Sequence, residues 1–395
     1  MIELPRLGRV GTFLLLTACA AGCLQTPPAP RVIDIQTSDG VILKATVFGT
    51  ARSGPAVLLL HQCDDTRKVW DSLGVKLMRA GITALSVDYR GYGESGGTPH
   101  DKLAPAEFEN QRRDQWPADI DSAYKVLLRQ RGVEPAQIGV AAGSCGVDNA
   151  LQFAQRWRDV KALALLAGGT DQRGRAFIAW DSAPPIFLGA SADDKYANFV
   201  DIQGWYAALS PNKQSRVIEY PNGGHAAVVF QAHPAFADTI TKWFQAVLSK
   251  KPEMLPVTNG RTMDADVVRT LSELDQPGGA ARVAEKLALV RKQGTTAQLF
   301  PEYFANQLAY EHMLVKDYAN AIEIMKLNTV AYPTSPNAFD SLSDVYLAAG
   351  DKKAALEMAK HALALLENDT VDSAERKQNI RTSAEGKIKQ LSAKP

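Results

Sequence analysis

The chain has 395 residues, 46% of them hydrophobic and 22% charged, with 44 Lys and Arg against 43 Asp and Glu for a formal net charge of +1. That length allows two or three domains with room for a sizeable core, and the even charge balance excludes a partner held by a protein-wide basic field, nucleic acid included. No uninterrupted apolar run reaches the roughly 18–20 residues that span a bilayer.

The first predicted element is an export signal over residues 1–18. Arg6 and Arg9 precede an apolar core from Val10 to Leu16, and small residues follow, an order that marks a segment removed before folding. Leu16-Thr17-Ala18-Cys19 resembles the bacterial lipobox, whose cysteine is acylated and becomes the first residue of the mature chain. Cys23 fits less well, because Ala20 replaces the bulky aliphatic residue. The expectation is a lipid on Cys19, a Pro-rich tether over 19–30, and a place at the bacterial cell envelope, membrane-anchored and facing the periplasm. Of the four cysteines, only Cys63 and Cys145 then lie in the folded body.

From 31 to 250 strands and helices alternate. "RVIDIQT" and "VILKATVFG" form a hairpin around Ser38-Asp39-Gly40. "PAVLLLH", "ITALSVDYRGYGESGG", "AQIGVAA", "VKALALLAG", "APPIFLGAS" and "SRVIEY" read as buried strands. Between and after them, "VWDSLGVKLMRAG", "PADIDSAYKVLLRQRG", "VDNALQFAQRW", "NFVDIQGWYAALS" and "FADTITKWFQAVLS" have helical spacing. Such alternation predicts an α/β fold, a mainly parallel sheet with helices on both faces, whose active groups gather at the carboxyl ends of the strands. Residues 251–262 read as a linker to an all-α domain over 263–390. Within it, 302–335 and 336–369 align at the 34-residue period of the tetratricopeptide repeat, pairing Leu308 with Leu342, Ala309 with Ser343, and Ala321 with Ala355. Two such units bury little core alone, so the helices from 263 onward are expected to cap them.

Three candidate sites fall at strand carboxyl ends: Ser144 after "IGVAA", Asp193-Asp194 after "IFLGASA", and His225 in "YPNGGHAAV". A tight strand-to-helix elbow needs small residues two before and two after its nucleophile. Around Ser144 these are Ala142 and Gly146; around Cys145 they are Gly143 and the β-branched Val147, so sterics favour Ser144. A serine hydroxyl needs a base; His225 leads His61 and His233 because it follows the acid in the order Ser, Asp, His. Asp194 is the expected acid and Asp193 the alternative. The oxyanion donors are the backbone N–H groups of Cys145, directly after the nucleophile, and of Cys63, in the loop after "VLLLH", where Gln62 takes a position commonly held by glycine. No metal motif or phosphate-binding loop stands out, so no cofactor is expected.

"LLLHQCDDTRKVWD", "DYRGYGES", "GVAAGSCG", "FLGASADD" and "YPNGGH", in that order, make residues 31–250 resemble the α/β-hydrolase superfamily. The resemblance implies hydrolysis of an ester or related acyl substrate through Ser144, His225 and Asp194. The dienelactone hydrolase branch is also similar, but it places cysteine at the elbow, and Val147 speaks against that here. The C-terminal part resembles tetratricopeptide tails, which implies a protein partner or packing on the neighbouring domain. The runner-up readings are a peptidase or amidase of the same fold, and a scaffold that binds partners through its repeats. Because both body cysteines are nominated as donors to one oxygen, their Cα atoms should lie within the roughly 5–7 Å that a disulfide requires. A Cys63–Cys145 bridge and two buried free thiols are both compatible with that.

Overall fold

The computed structural model describes residues 29–294 and 297–392. The signal, Cys19 and most of the tether therefore lie outside the described residues. Eight strands form one sheet: β1 (Arg31–Gln36), β2 (Ile42–Phe48), β3 (Gly54–Leu60), β4 (Thr83–Val87), β5 (Val133–Gly143), β6 (Val160–Leu166), β7 (Ile186–Ser191) and β8 (Arg216–Tyr220). Their spatial order is β1-β2-β4-β3-β5-β6-β7-β8. β1, β2 and β4 pair antiparallel, and every pair from β4 to β8 is parallel. This is the α/β-hydrolase arrangement.

Period-2 alternation splits each central strand between two cores. Leu58 and Leu60 of β3 face one, and Val57 and Leu59 face the other. The first is covered by α3 (Trp116–Leu128), α4 (Cys145–Arg156) and α6 (Phe199–Leu209), the second by α1 (Asp71–Arg79) and α8 (Ala235–Leu248). Three helices were not legible in the sequence. α2 (Pro105–Asp114) buries only Gln111 and has no apolar stripe to read; α5 (Gln172–Ile178) and α7 (Val229–Ala232) are too short for helical periodicity.

The segment expected to be a linker is laid along β8. The Gly260 N–H donates to the Val217 carbonyl (3.1 Å), the Val217 N–H to the Thr258 hydroxyl (3.0 Å), and Arg216 Nε to the Pro256 carbonyl (2.7 Å). β8 ends the sheet, and this strap satisfies backbone groups that an open edge would leave bare.

Beyond the strap the chain is helical: α9 (Ala265–Leu274), α10 (Gly279–Lys292), α11 (Glu302–Leu314), α12 (Tyr318–Ala331), α13 (Pro336–Ala348), α14 (Lys352–Leu366) and α15 (Ala374–Ser392). α11 and α13 start 34 residues apart, as do α12 and α14. Ala309, Ala321 and Ala355 are fully buried where paired helices approach, and the Ser343 hydroxyl donates to the Ala355 carbonyl. The region is fastened to the sheet domain through α5 and α6. Buried Arg175 donates to both carboxylate oxygens of Glu311 (2.9 and 2.7 Å) and to Asp275 (2.9 Å), while Phe304 packs edge-on against Trp205. A guanidinium this deep is tolerable because its donors are engaged by two carboxylates and it lies over the Trp205 ring at 4.8 Å.

Candidate active site

Ser144 sits between the last residue of β5 and the first of α4, with φ 52° and ψ −123°. A non-glycine residue held there costs on the order of 1–3 kcal/mol and persists only when its surroundings dictate it. They do so sterically. A Cβ on Gly146 would lie 3.0 Å from the carbonyl oxygens of both Leu60 and His61, so α4 can start this close to β3 only with glycine at that position. A Cβ on Gly168 would lie 2.3 Å from the Ser144 carbonyl oxygen and 2.4 Å from Val147, so the end of β6 presses on the elbow from the other side. The Ser144 N–H is held by the Leu166 carbonyl (2.9 Å).

His225 and Asp194 meet at this end of the sheet. His225 Nδ1 lies 2.7 Å from Asp194 Oδ2, with the two side chains 6% and 1% exposed, so the pair is withdrawn from solvent screening. The following residue places this loop against the elbow: a Cβ on Gly143 would lie 3.2 Å from that of Ala226. Of the two adjacent carboxylates, Asp194 is the one brought to the histidine. Asp193 points away and accepts the N–H groups of Gly224 (2.9 Å) and Gly223 (3.1 Å), which hold it below the ordinary carboxylate range. It shapes the loop that carries His225.

Cys63 and Cys145 are joined by a disulfide, with Cα atoms 5.8 Å apart. The free-thiol alternative does not hold in this structure. The bridge ties the loop after β3 to the first residue of α4, and neither backbone N–H donates to an acceptor among the described residues. A sulfur in a disulfide has no thiolate to attack with, which leaves Ser144 as the candidate nucleophile at the elbow.

Gln62, unassigned from sequence, holds two loops at once. Its Oε1 accepts the Ala227 N–H (3.1 Å), and its Nε2 donates to Asp64 (2.9 Å). Tyr196 reaches over the same gap. Its ring stands edge-on to His225 at 4.5 Å, and its hydroxyl donates to Asp64 (2.9 Å). Burial raises the Asp64 carboxyl, but these donors from Gln62 and Tyr196 outweigh it and the group lies below its ordinary value. The one signal for either residue was adjacency to a nominated one, since polar side chains of this kind carry no periodicity.

His61 is brought near the site but not as a base. The Tyr89 N–H donates to its Nε2 (3.2 Å), so Nδ1 carries the proton and donates to the Gln62 carbonyl (2.7 Å). That carbonyl belongs to the same peptide unit as the Cys63 N–H, and a trans peptide points the two in opposite directions. His61 therefore fixes the plane that presents the nominated oxyanion donor. Full burial pushes its imidazole down from 6.5 to about 4. The native pKa lies below the unfolded one, so this stability is complete above the unfolded pKa and is lost as pH falls from it toward the folded one. Unfolding free energy should be about 2 kcal/mol lower near pH 5 than near pH 7.5 from this group. Denaturant unfolding of wild type and His61→Asn checks it; equal pH slopes in the two would contradict the assignment. His233 lies between α7 and α8, stacked on Tyr220 and hydrogen-bonded to Asn222, outside this cluster.

Among the described residues no group of three or more His, Cys, Asp or Glu side chains could hold a metal ion. The arrangement offers a serine hydroxyl on a strained backbone, a histidine oriented by a buried carboxylate, and two N–H groups without acceptors among the described residues, tied together by a disulfide.

A sequence model of the dienelactone hydrolase family matches residues 43–249, just over half of the chain. Among curated relatives, an uncharacterized protein of Mycobacterium tuberculosis is 33% identical over 130 residues, covering 32% of this chain and 42% of that protein. A thiohydrolase of Arthrinium phaeospermum is 25% identical over 171 residues, covering 43% and 48%. The chain thus matches less than half the length of these relatives. Among solved structures, an α/β hydrolase from Penicillium sp. sh18 shares 14% identity with a TM-score of 0.46, covering 56% of this chain and 100% of that one. An esterase of Pyrococcus furiosus shares 17% with a TM-score of 0.44, covering 56% and 93%.

Proposed function

The chain belongs to the dienelactone hydrolase family of α/β hydrolases, and we propose that it is a serine hydrolase cleaving a carboxylic ester or related acyl substrate through Ser144, His225 and Asp194. The observation that carries this is the Ser144 backbone at φ 52°, at the carboxyl end of β5, beside a loop whose histidine is already paired with a carboxylate at 2.7 Å.

In this reading Ser144 Oγ attacks the substrate carbonyl carbon while His225 Nε2 takes the hydroxyl proton. Asp194 keeps Nδ1 protonated and stabilises the imidazolium. The carbonyl oxygen becomes an oxyanion received by the N–H groups of Cys63 and Cys145. As the tetrahedral intermediate collapses, the bond to the leaving group breaks and that group departs with the proton from His225. Water then repeats the sequence on the acyl-serine, releasing the acid and restoring the serine. The same steps serve a thioester, with a thiol leaving. The small α5 between β6 and β7 suits an open cleft for modest esters.

At the cell scale the proposal keeps a lipid on Cys19 and a place at the bacterial envelope, supported by the signal-like N-terminus and by a disulfide of the kind that persists in oxidising compartments. The helical pairs at 34-residue spacing are proposed as tetratricopeptide-like repeats open to a protein partner.

A panel of p-nitrophenyl esters graded by acyl length tests the activity, with two carboxylate variants as the sharper arm. Asp194→Asn should lose about 10⁴-fold in kcat by leaving His225 in the wrong tautomer. Asp193→Asn should cost far less, since it only loosens a turn. Equal losses, or the reverse order, would overturn the assignment of the acid.

A further inference from the structure

A net charge of +1 conceals a segregation that the topology makes plain. The active site occupies the carboxyl ends of the parallel strands; the opposite end collects basic residues. Arg31 opens β1, Arg52 precedes β3, Arg131 precedes β5, Arg158 and Lys161 flank the start of β6, and Lys213 precedes β8. All six are exposed, and among the described residues none is in an ion pair. Arg31 donates to Gln130, and Lys161 to the Arg158 carbonyl. Arg79, Arg129 and Lys250 add to the same end at helix C-termini, where complementing the helix dipole accounts for them. That reason does not extend to the six, which lie outside helices. The acidic residues at this end, Glu134, Asp159, Asp181 and Glu253, are fewer.

The face has an aromatic centre. A notch of about 380 Å³ opens between the starts of β6 and β7, lined by Arg158, Lys161, Phe177, Trp180, Pro184 and Pro185. Trp180 is 50% exposed, with the Arg158 guanidinium 4.9 Å above its ring. Tryptophan beside cations is the chemistry of a membrane–water interface, and clustered Lys and Arg draw anionic headgroups.

The chain also enters the fold here. β1 runs parallel to β4, so Arg31, paired with Val47, lies at the strand amino ends. A tether over 19–30 reaches roughly 40 Å at most, which holds this end toward whatever surface residue 19 is fixed to. The opposite rim mixes charges around the site, Asp64, Asp65 and Asp193 with Lys68 and Lys195, and among the described residues has no comparable cluster of unpaired cations around an exposed tryptophan. No helix among the described residues is long and apolar enough to cross a membrane.

We infer that the strand amino-end face, centred on Arg158, Lys161 and Trp180, docks on an anionic phospholipid surface and turns the active site away from it. Binding here is peripheral and separate from any acyl chain on Cys19.

The test uses the full chain carrying Cys19→Ser and Cys23→Ser, so that no lipid can be attached. Its partition onto phosphatidylcholine vesicles is compared with that onto phosphatidylcholine–phosphatidylglycerol vesicles, at low and high salt. Adding Arg52→Gln, Arg131→Gln, Arg158→Gln and Lys161→Gln should lower binding to the anionic vesicles by on the order of 10²–10³-fold, roughly five-fold per cation. Binding to phosphatidylcholine, the circular dichroism spectrum and the melting temperature should not change. The N-terminal apolar segment is common to both proteins, so the difference isolates the face. Equal binding of the two to anionic vesicles would overturn the inference. So would tighter binding of the parent to a DNA duplex than to those vesicles at the same salt, which would assign the face to nucleic acid.

Discussion

Ser144→Ala is expected to lower kcat toward p-nitrophenyl esters by about 10⁴-fold or more, because the covalent path closes and only the donors and the cleft remain. Cys145→Ala should cost less than about 10²-fold. Its sulfur is already bonded to Cys63, and the variant keeps the backbone N–H while loosening its position. The ranking matters more than either value. The family places cysteine at the elbow in its dienelactone branch, whereas here the residue with φ 52° is Ser144 and Cys145 is the first residue of the helix. If Cys145→Ala were the dead variant and Ser144→Ala the active one, the nucleophile would be misassigned.

The second large effect is expected on stability. The Cys63–Cys145 bridge closes a loop with a sequence separation of 82. In the chain-entropy account the bridge removes conformational entropy from the unfolded chain and so stabilises the native state by roughly 4–5 kcal/mol, less any native-state strain. Native domains hold only about 5–15 kcal/mol in all, so a Cys63→Ser, Cys145→Ser double variant should unfold at a much lower denaturant concentration. The bridge also joins the two nominated oxyanion donors, so the double variant should lose kcat more than it raises KM. A reductant should shift the wild-type midpoint toward that of the double variant and leave the double variant unmoved. A wild-type midpoint indifferent to reductant, or equal to that of the double variant, would contradict the bridge's structural weight.

How far the sequence carried these conclusions depends on the kind of signal. Continuous apolar runs such as "PAVLLLH" identified strands buried on both faces, because such strands need no polar side. The elbow was legible because its constraint is steric: Ala142 and Gly146 are small for the same reason that a Cβ on Gly146 would meet two carbonyl oxygens. α2 was invisible because its register is written in polar residues with only Gln111 buried. The strap over β8 read as a linker because its bonds to Val217 use backbone and small polar groups that carry no pattern. In the site, choosing Asp194 over its neighbour required the fold, since only three-dimensional geometry sends one carboxylate to His225 and the other to the N–H groups of Gly223 and Gly224. Gln62 and Tyr196 act across loops far apart in sequence, and nothing beyond adjacency to a nominated residue marked either.

The most direct measurement is covalent labelling with a fluorophosphonate, followed by intact mass and peptide mapping. The expected result is one phosphonyl adduct, on the peptide containing Ser144, absent from Ser144→Ala and retained by Cys145→Ala. An unlabelled wild-type protein, or an adduct mapped to any other residue, would contradict the assignment of this chain as a hydrolase acting through Ser144.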